Sequence, residues 1–293
     1  MNAKFETYHV ERTPRAPLLR ADVERTSHAP LPRAGIEQTP NTPLLRADGV
    51  TLQYATRQSV TTATYRVSFE VRRGDLFAVM GHSGCGKSTI LNAIAGNLHP
   101  VEGTLLLNNK SISGPGPERM VVWQSHDQLL PWKTVLENVA YPLILNGKAT
   151  AQVARAKATQ WLETVGLARA LNQFPHQLSG GMKMRAAIAR GLCFEPEILL
   201  MDEPFAALDA LNRAHMQDEL KELQSRTGTT ILLVTHDIAE AVRVASRILV
   251  LSPHPGQVKA EVNGAQTDAE RLELTALLTQ LLHEKHDHHT EEV

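Results

Sequence analysis

The stretch from Gly81 to Ser88, GHSGCGKS, constrains the fold more than any other part of the sequence. It follows the apolar run LFAVM, which is typical of a buried strand, and it precedes ILNAIAGNL, which has the apolar spacing of a helix. The stretch matches the pattern G-x-x-x-x-G-K-[ST] in the strand, loop and helix context that this pattern requires. We therefore expect a glycine-rich loop between a strand and the N-terminus of a helix.

A loop of this kind is suited to hold phosphate groups. Gly81, Gly84 and Gly86 permit turns that a β-carbon would obstruct, so successive backbone N–H groups can point into one concavity. The helix that follows adds the partial positive charge of its N-terminus. The sequence therefore predicts a nucleotide site at this loop.

Three residues at the end of the loop carry side chains with specific predicted roles. Lys87 is expected to reach the terminal phosphates, Ser88 to give its hydroxyl to Mg²⁺, and Thr89 to contact the α-phosphate side. The remaining loop positions are counted in the nucleotide site without a catalytic role: His82, Ser83 and Cys85.

Two further strand patterns end in polar residues. EILLMDEP places Asp202, predicted to hold Mg²⁺, at a strand end, and Glu203, predicted to orient and partly deprotonate an attacking water, one residue later. Two carboxylates at the end of a buried strand would be costly without a nearby cation, which favours a hydrolytic site. ILLVTHD places His236 at the carboxyl edge of a strand, where it is expected to contact the γ-phosphate.

From Val50 onward, short apolar runs alternate with helical patterns, which indicates an α/β core with a largely parallel sheet. The strand candidates are Val50–Tyr54, Tyr65–Val71, Leu76–Met80, Met120–Gln124, Ile198–Met201, Thr230–Val234 and Ile248–Leu251. Residues 125–194 contain ATAQVARAKATQWLETVGL and SGGMKMRAAIARGL, which both have helical spacing, and no strand pattern. We expect a helical subdomain there.

The two ends of the chain differ from the domain predicted for residues 44–262. A 13-residue repeat begins at Val10, Val23 and Ile36, and its prolines and scattered leucines predict a disordered tail over residues 1–43, with partner docking as the alternative. Residues 263–293 are expected to form an amphipathic helix and a histidine-rich end. That end is predicted to be solvated, with metal binding as the less favoured alternative: His283, His286, His288 and His289.

Composition argues against several classes of protein. A formal net charge of −1 disfavours a general nucleic-acid binder. No apolar run approaches the roughly 18 residues of a membrane span, and the N-terminus lacks the apolar stretch of a secretory signal. We therefore expect the protein in the cytoplasm, where Cys85 and Cys193 would be free thiols.

Together these motifs resemble the ATP-binding subunit of an ABC transporter, over roughly Leu44 to Val262. GHSGCGKST, VVWQ, LSGGM, MDEP, ALD and His236 occur in that family's order and approximate spacing. The resemblance implies a P-loop NTPase (RecA-like) core with a parallel sheet, an antiparallel β portion near the N-terminus and a helical signature subdomain. It also implies ATP hydrolysis, with ATP and Mg²⁺ as ligands.

The resemblance assigns roles to two more residues on the same chain. Tyr54 matches the aromatic position that stacks on adenine, and it is preferred over Tyr65, which alternates into VSFEV like a core residue. Gln124 is implied to join Ser88 and Asp202 around Mg²⁺ and the nucleotide.

In this family two cassettes meet head to tail, so the resemblance implies a homodimer. Ser179, Gly180 and Gly181 would present a hydroxyl, N–H groups and a helix N-terminus to the γ-phosphate of ATP held by the other cassette. Asp209 would lie along the same interface. Transmembrane permease subunits and a periplasmic or lipoprotein solute-binding protein would complete the complex, with this chain at the cytoplasmic face of the bacterial inner membrane.

The segment QSHDQLLPWKTVLENV is implied to line the groove that receives the permease. Its apolar residues Leu129, Leu130 and Trp132 are expected to be exposed there, with packing inside the helical subdomain as the alternative.

A finer resemblance points to bacterial nitrate, cyanate, sulfonate and taurine importers. It is carried by GHSGCGKST, LLPWKTVLENV, LSGGMK, DEPFAALDA and VLSPHPGQV, and His82 and Met182 favour the nitrate, cyanate and bicarbonate branch. Met184 replaces a usual glutamine and is expected to weaken hydrogen bonding around the trans site, whereas Ala206 replaces a frequent glycine and is expected to restrict the backbone. The alternatives are a sulfonate or taurine importer ATPase, an ABC ATPase that acts on DNA or the ribosome, and a cassette that binds ATP without hydrolysis.

Overall fold

A computed structural model describes residues 43–55, 59–206 and 208–283. The strands in this part of the chain are β1 Pro43–Ala55, β2 Val60–Arg72, β3 Leu76–Met80, β4 Glu102–Leu107, β5 Lys110–Ser111, β6 Arg119–Val122, β7 Ile198–Asp202, β8 Thr230–Thr235, β9 Arg247–Leu251 and β10 Val258–Asn263. The α-helices are α1 Lys87–Ala95, α2 Val135–Leu145, α3 Ala151–Thr164, α4 Gly180–Cys193, α5 Ala210–Thr227, α6 Ile238–Val244 and α7 Asp268–His283.

The larger sheet has six strands in the order β10-β9-β3-β8-β7-β6. Strands β9, β3, β8, β7 and β6 run parallel, and β10 is added antiparallel at one edge. All residues of β3 and β8 are buried, as expected for parallel strands that are covered on both faces. The carboxyl ends of β3, β7 and β8 therefore meet at one edge, where the candidate site lies. The predicted α/β core with a parallel sheet is confirmed.

The smaller sheet is antiparallel, in the order β2-β1-β4-β5. Strand β1 begins at Pro43, inside the third copy of the repeat, so the predicted start at Val50 was seven residues too late. Leu44 and Leu45 are buried in the core, which explains why the strand extends over them. The other repeat residues, before Pro43, lie outside the described residues.

Strands β4, β5 and β10 were missed by the sequence analysis. Half of the residues in β4 are exposed, both residues of β5 are exposed, and β10 is an edge strand with mixed polar residues. These segments lack a continuous apolar run or a clean alternation. Strand pairing holds them in place rather than burial of a whole face: β4 pairs with β1, β5 with β4 and β10 with β9.

Between β6 and β7 the described residues form α2, α3 and α4 and no strand. Thr134 begins α2 with a reciprocal capping box to Glu137, which satisfies N–H groups at the helix start. Leu129 is buried in the core of these helices, so its expected exposure was wrong, whereas Leu130 is half-buried and Trp132 is exposed. Met184 is also fully buried in this core, where its side chain fills space between helices. Its expected effect on hydrogen bonding around the trans site stays a prediction.

The last described helix, α7, packs on the larger sheet. Its Leu274 and Leu278 belong to one apolar cluster with Ala78 and Met80 of β3. His283 at its end is exposed, while His286, His288 and His289 lie outside the described residues. No helix in the described part of the chain is long and apolar enough to cross a membrane.

Candidate functional site

The glycine-rich loop leaves β3 at Gly81 and ends where α1 begins at Lys87. Gly86 adopts φ 97°, and a β-carbon there would lie 2.6 Å from the carbonyl oxygen of Ala63. Glycine is required at this position both by the left-handed backbone and by the close approach of β2. The loop therefore turns tightly enough to place backbone N–H groups and the start of α1 around one concavity.

Lys87 is buried and folds back over the loop. Its Nζ donates hydrogen bonds to the carbonyl oxygens of Gly81 and His82, both at 2.9 Å. These acceptors are neutral, so an anionic group in the loop would give the ammonium a charged partner. This arrangement fits the predicted role of Lys87 toward terminal phosphates.

Cys85, in the same loop, is a buried free thiol, as is Cys193 in α4. Burial raises the pKa of Cys85 above its ordinary value and raises the pKa of Cys193 to about 12. Both thiols therefore stay protonated near neutral pH, which agrees with the absence of a predicted catalytic role for Cys85.

The hydroxyl of Ser88 donates to Oδ1 of Asp202 at 2.9 Å, so the first turn of α1 meets the end of β7. Burial raises the pKa of Asp202 above its ordinary value; the Ser88 hydrogen bond opposes this rise, and the charge of Glu203 adds to it. A hydroxyl and a carboxylate oxygen are donors that suit Mg²⁺. Within the described residues no group of three or more His, Cys, Asp or Glu side chains could hold a metal, so phosphate oxygens and water would have to complete the coordination.

Glu203 follows β7 in a strained backbone conformation, with φ 42°. Its backbone N–H donates to the carbonyl oxygen of Val234 in β8 at 2.9 Å, which fixes the turn. The carboxylate lies between two polar side chains: Oε1 is 2.9 Å from Nδ1 of His236, and Oε2 is 3.5 Å from Nε2 of Gln124. Gln124 thus contacts Glu203 in this structure, and among the described residues no hydrogen bond joins its side chain to Ser88 or Asp202.

Tyr54 lies beside the start of α1. Its hydroxyl donates to Oγ1 of Thr89 at 3.2 Å, and the residue is 45% exposed. An exposed ring next to the loop remains available for stacking. Tyr65 is also exposed, so its expected place in the core was wrong: Arg66 has φ 47°, and the irregular backbone at this point shifts the alternation of β2.

The signature residues begin α4. Ser179 is the N-cap and accepts a hydrogen bond from the backbone of Met182, while Ser179 and Gly180 are exposed and Gly181 is half-buried. Asp209 is likewise the N-cap of α5, and its hydrogen bonds to Asn212 lower the pKa of its carboxyl. Among the described residues no hydrogen bond joins Ser179, Gly180 or Gly181 to the glycine-rich loop.

Three basic residues make contacts around the site that the sequence analysis missed. Lys183 and Arg190 of α4 contact the segment after Gln124, through Asp127 at 3.1 Å and the carbonyl oxygen of Gln128 at 2.8 Å. Arg213 of α5 donates to the carbonyl oxygen of Leu208 at 3.0 Å and pairs with Asp237, the residue after His236, at 3.4 Å. Basic residues on amphipathic helices carry no local signal of such contacts.

The sequence of residues 64–206 matches the family model described as ABC transporter. The chain is 43% identical over 221 residues to the nitrate transport protein NasD of Klebsiella oxytoca, covering 74% of this chain and 83% of NasD. The chain belongs to the ABC transporter ATP-binding family. It is therefore an ABC-type ATPase.

Two other members of the family show how far the similarity extends. The taurine import ATP-binding protein TauB of Yersinia pestis is 48% identical over 206 residues, which cover 70% of this chain and 80% of TauB. The dimeric post-hydrolysis structure of the ATP-binding cassette MJ0796, bound to ADP and Pi, is 32% identical with a TM-score of 0.65, over 76% of this chain and all of that cassette. The predicted family and ATPase activity are confirmed.

Proposed function

We propose that this ATPase powers the import of a small anion of the nitrate, nitrite or cyanate type. The observation that carries the proposal is the 43% identity with NasD over 83% of that protein's length. An importer of taurine or another sulfonate is the second candidate, because TauB is 48% identical over 80% of its own length.

In the proposed reaction, water attacks the γ-phosphorus of ATP, and the bond from that phosphorus to the bridging oxygen breaks to release ADP and phosphate. Glu203 accepts the proton from the attacking water, and Nδ1 of His236 holds the carboxylate through Oε1. Lys87 and the N–H groups of the loop bind the terminal phosphates. Tyr54 stacks on the adenine ring.

Mg²⁺ would be held by Ser88 and Asp202, with Gln124 nearby. When bound, it would neutralise charge on the phosphate oxygens. The hydroxyl and carboxylate pair at 2.9 Å supports this assignment, because a divalent cation would also satisfy a carboxylate that burial destabilises in its charged form.

We further propose that two copies of the chain form the working unit. Ser179, Gly180 and Gly181 would contact ATP bound to the loop of the partner subunit, and Asp209 would lie along the interface. Their exposed or half-exposed position at the start of α4, apart from their own loop, supports a site completed in trans. The dimeric structure of the MJ0796 cassette gives the same support. Permease subunits at the inner membrane, with a solute-binding protein, would be the further partners.

Growth experiments separate the two candidate solutes. A strain that lacks this gene is grown with nitrate as the nitrogen source and, separately, with taurine as the sulfur source. Loss of growth on nitrate alone, restored by the wild-type gene but not by a Glu203→Gln variant, supports the nitrate proposal. Loss of growth on taurine alone selects the second candidate, and normal growth on both rejects the two.

A further inference from the structure

The phosphate loop is connected to the C-terminal end of α7, two hundred residues away in the sequence. Nε2 of His82 lies 2.8 Å from the carbonyl oxygen of Leu282. Nζ of Lys259 in β10 donates to the preceding carbonyl oxygen, that of Leu281, at 2.5 Å. Both acceptors are backbone carbonyl oxygens in the last described turn of α7.

The helix that supplies these carbonyls is held firmly. Leu274 and Leu278 bury one face of α7 against Met80, the last residue of the strand that leads into the loop. The end of α7 therefore has a fixed position relative to the loop, and a hydrogen bond to it restrains His82 rather than following a mobile group.

The segment between β9 and β10 makes a second contact with the same loop. In the SPHPGQ segment between β9 and β10, a β-carbon on Gly256 would lie 2.1 Å from the carbonyl oxygen of Cys85, so the two backbones are in direct contact. Gly256 also donates to the carbonyl oxygen of Ala63 at 3.0 Å and accepts from the N–H of Tyr65 at 2.9 Å. The C-terminal part of the chain thus contacts the loop at two separate points, His82 and Cys85.

We propose that His82 is a positioning residue, which holds the phosphate loop in its binding conformation through the C-terminal end of α7. The imidazole of His82 bonds to Leu282, whereas the backbone carbonyl of the same residue accepts a hydrogen bond from Nζ of Lys87. A loop that is already ordered loses less conformational entropy when it binds phosphate, so the contact increases ATP affinity. The proposal rests on the assignment of this loop as the ATP site.

The first test compares substitutions at position 82 in the full chain. His82→Leu removes the donor and should weaken ATP binding by about 3- to 10-fold, the usual effect of one hydrogen bond, with kcat changed by less than about 2-fold. His82→Gln keeps an N–H donor at a similar reach and should restore most of the affinity. His99→Leu, at an exposed histidine beyond the other end of α1, is the control for loss of an imidazole. ATP affinity is measured by calorimetry with Mg²⁺ present, and kcat by phosphate release.

The second test removes the acceptor instead. A chain that ends at residue 283 keeps the Leu282 carbonyl and should bind ATP like the full chain, whereas a chain that ends at 281 should bind like the His82→Leu variant. Adding His82→Leu to the shorter chain should have no further effect, because both changes break the same contact. This pair decides the question even if His82→Leu fails to fold.

Two results would overturn the inference: an unchanged ATP affinity in a folded His82→Leu variant, or independent and additive effects of the substitution and the truncation to 281. A Lys87→Ala variant tests the underlying assignment separately. If that variant retains full ATP affinity, the loop is not the ATP site; if it loses affinity while His82→Leu does not, only the role of His82 is rejected.

Discussion

The imidazole of His236 and the carboxylate of Glu203 face each other across the ends of two neighbouring strands, with Nδ1 and Oε1 2.9 Å apart. Glu203 sits in a left-handed backbone conformation that costs free energy, and the hydrogen bond from its N–H to Val234 holds it there. Strain maintained at a polar residue on a ligand-binding edge is a feature of functional sites. The geometry therefore supports the proposed role of Glu203 toward the attacking water.

Replacing Glu203 by glutamine should leave ATP binding intact and lower the turnover number by on the order of 10² to 10⁴, the usual contribution of a positioned base. Glutamine keeps the size and hydrogen-bonding capacity of the side chain but cannot accept the proton. Glu222→Gln on the exposed face of α5 is a matched control and should retain full turnover. Wild-type turnover in the Glu203→Gln protein would remove this residue from the mechanism.

Ser179→Arg should block hydrolysis at the partner's loop and leave nucleotide affinity of the monomer nearly normal. The decisive measurement mixes this inactive variant with inactive Glu203→Gln protein. If the signature acts in trans, each mixed dimer contains one intact site, and an equimolar mixture should recover roughly a quarter of the wild-type rate by random pairing of subunits. If Ser179 served its own loop, both subunits of the mixed dimer would be defective and no activity would return.

Asp202→Asn should raise the melting temperature of the nucleotide-free protein near neutral pH. Burial raises the folded-state pKa of Asp202 above that of the unfolded chain, so the folded state binds more protons between these two values and stability falls as the pH rises through that window. The neutral amide removes this penalty. Thermal unfolding with EDTA, compared between pH 4 and pH 7.5, measures the difference.

The same variant should lose most of the additional stabilisation that Mg²⁺ gives in the presence of ATP. For thermal unfolding without metal, Asp218→Asn is a control of opposite sign. The hydrogen bonds from Arg243 lower the pKa of Asp218, so neutralising this carboxylate should lower the melting temperature. A Mg²⁺-dependent shift in Asp202→Asn that equals or exceeds that of the wild type would contradict the metal assignment.

Leu45→Pro should destabilise the protein by about 3 kcal/mol or more, because a buried residue of an inner strand is lost together with a ladder N–H group. Leu19→Pro changes the matching position of the first repeat copy and should leave the free energy of unfolding unchanged. Urea unfolding of the two variants tests the pair. Equal losses of stability in both would mean that the first copy is also required for the fold.

The elements that sequence reasoning located best are those with strong local signals. The run Leu76–Met80 was predicted with its observed bounds, because a fully buried parallel strand is a continuous apolar run between a turn and a glycine. Lys87, Ser88, Asp202 and Glu203 lie at strand and helix ends that such runs mark. Topology then brings them together, because parallel strands end at one edge of the sheet.

What failed depended on tertiary contacts. Tyr65 was placed in the core by alternation, but the irregular backbone at Arg66 breaks the period of two. Leu129 was expected to be exposed in the groove for the permease, yet it fills the core between α2, α3 and α4. The contact between His82 and Leu282 joins two segments with no shared pattern, so no local reading of the sequence could have found it.

The start of β1 inside the last repeat copy places a structural constraint on six residues of that copy. PLLRAD at 43–48 forms a strand between two neighbours, and its Leu45 pairs with Val71 and Leu107. The first copy has the same six residues, whereas the second has proline at the position of Leu45, a residue that an inner strand does not tolerate. The repeat itself therefore does not require leucine at this position, whereas the sheet does require a residue with a backbone N–H group at Leu45.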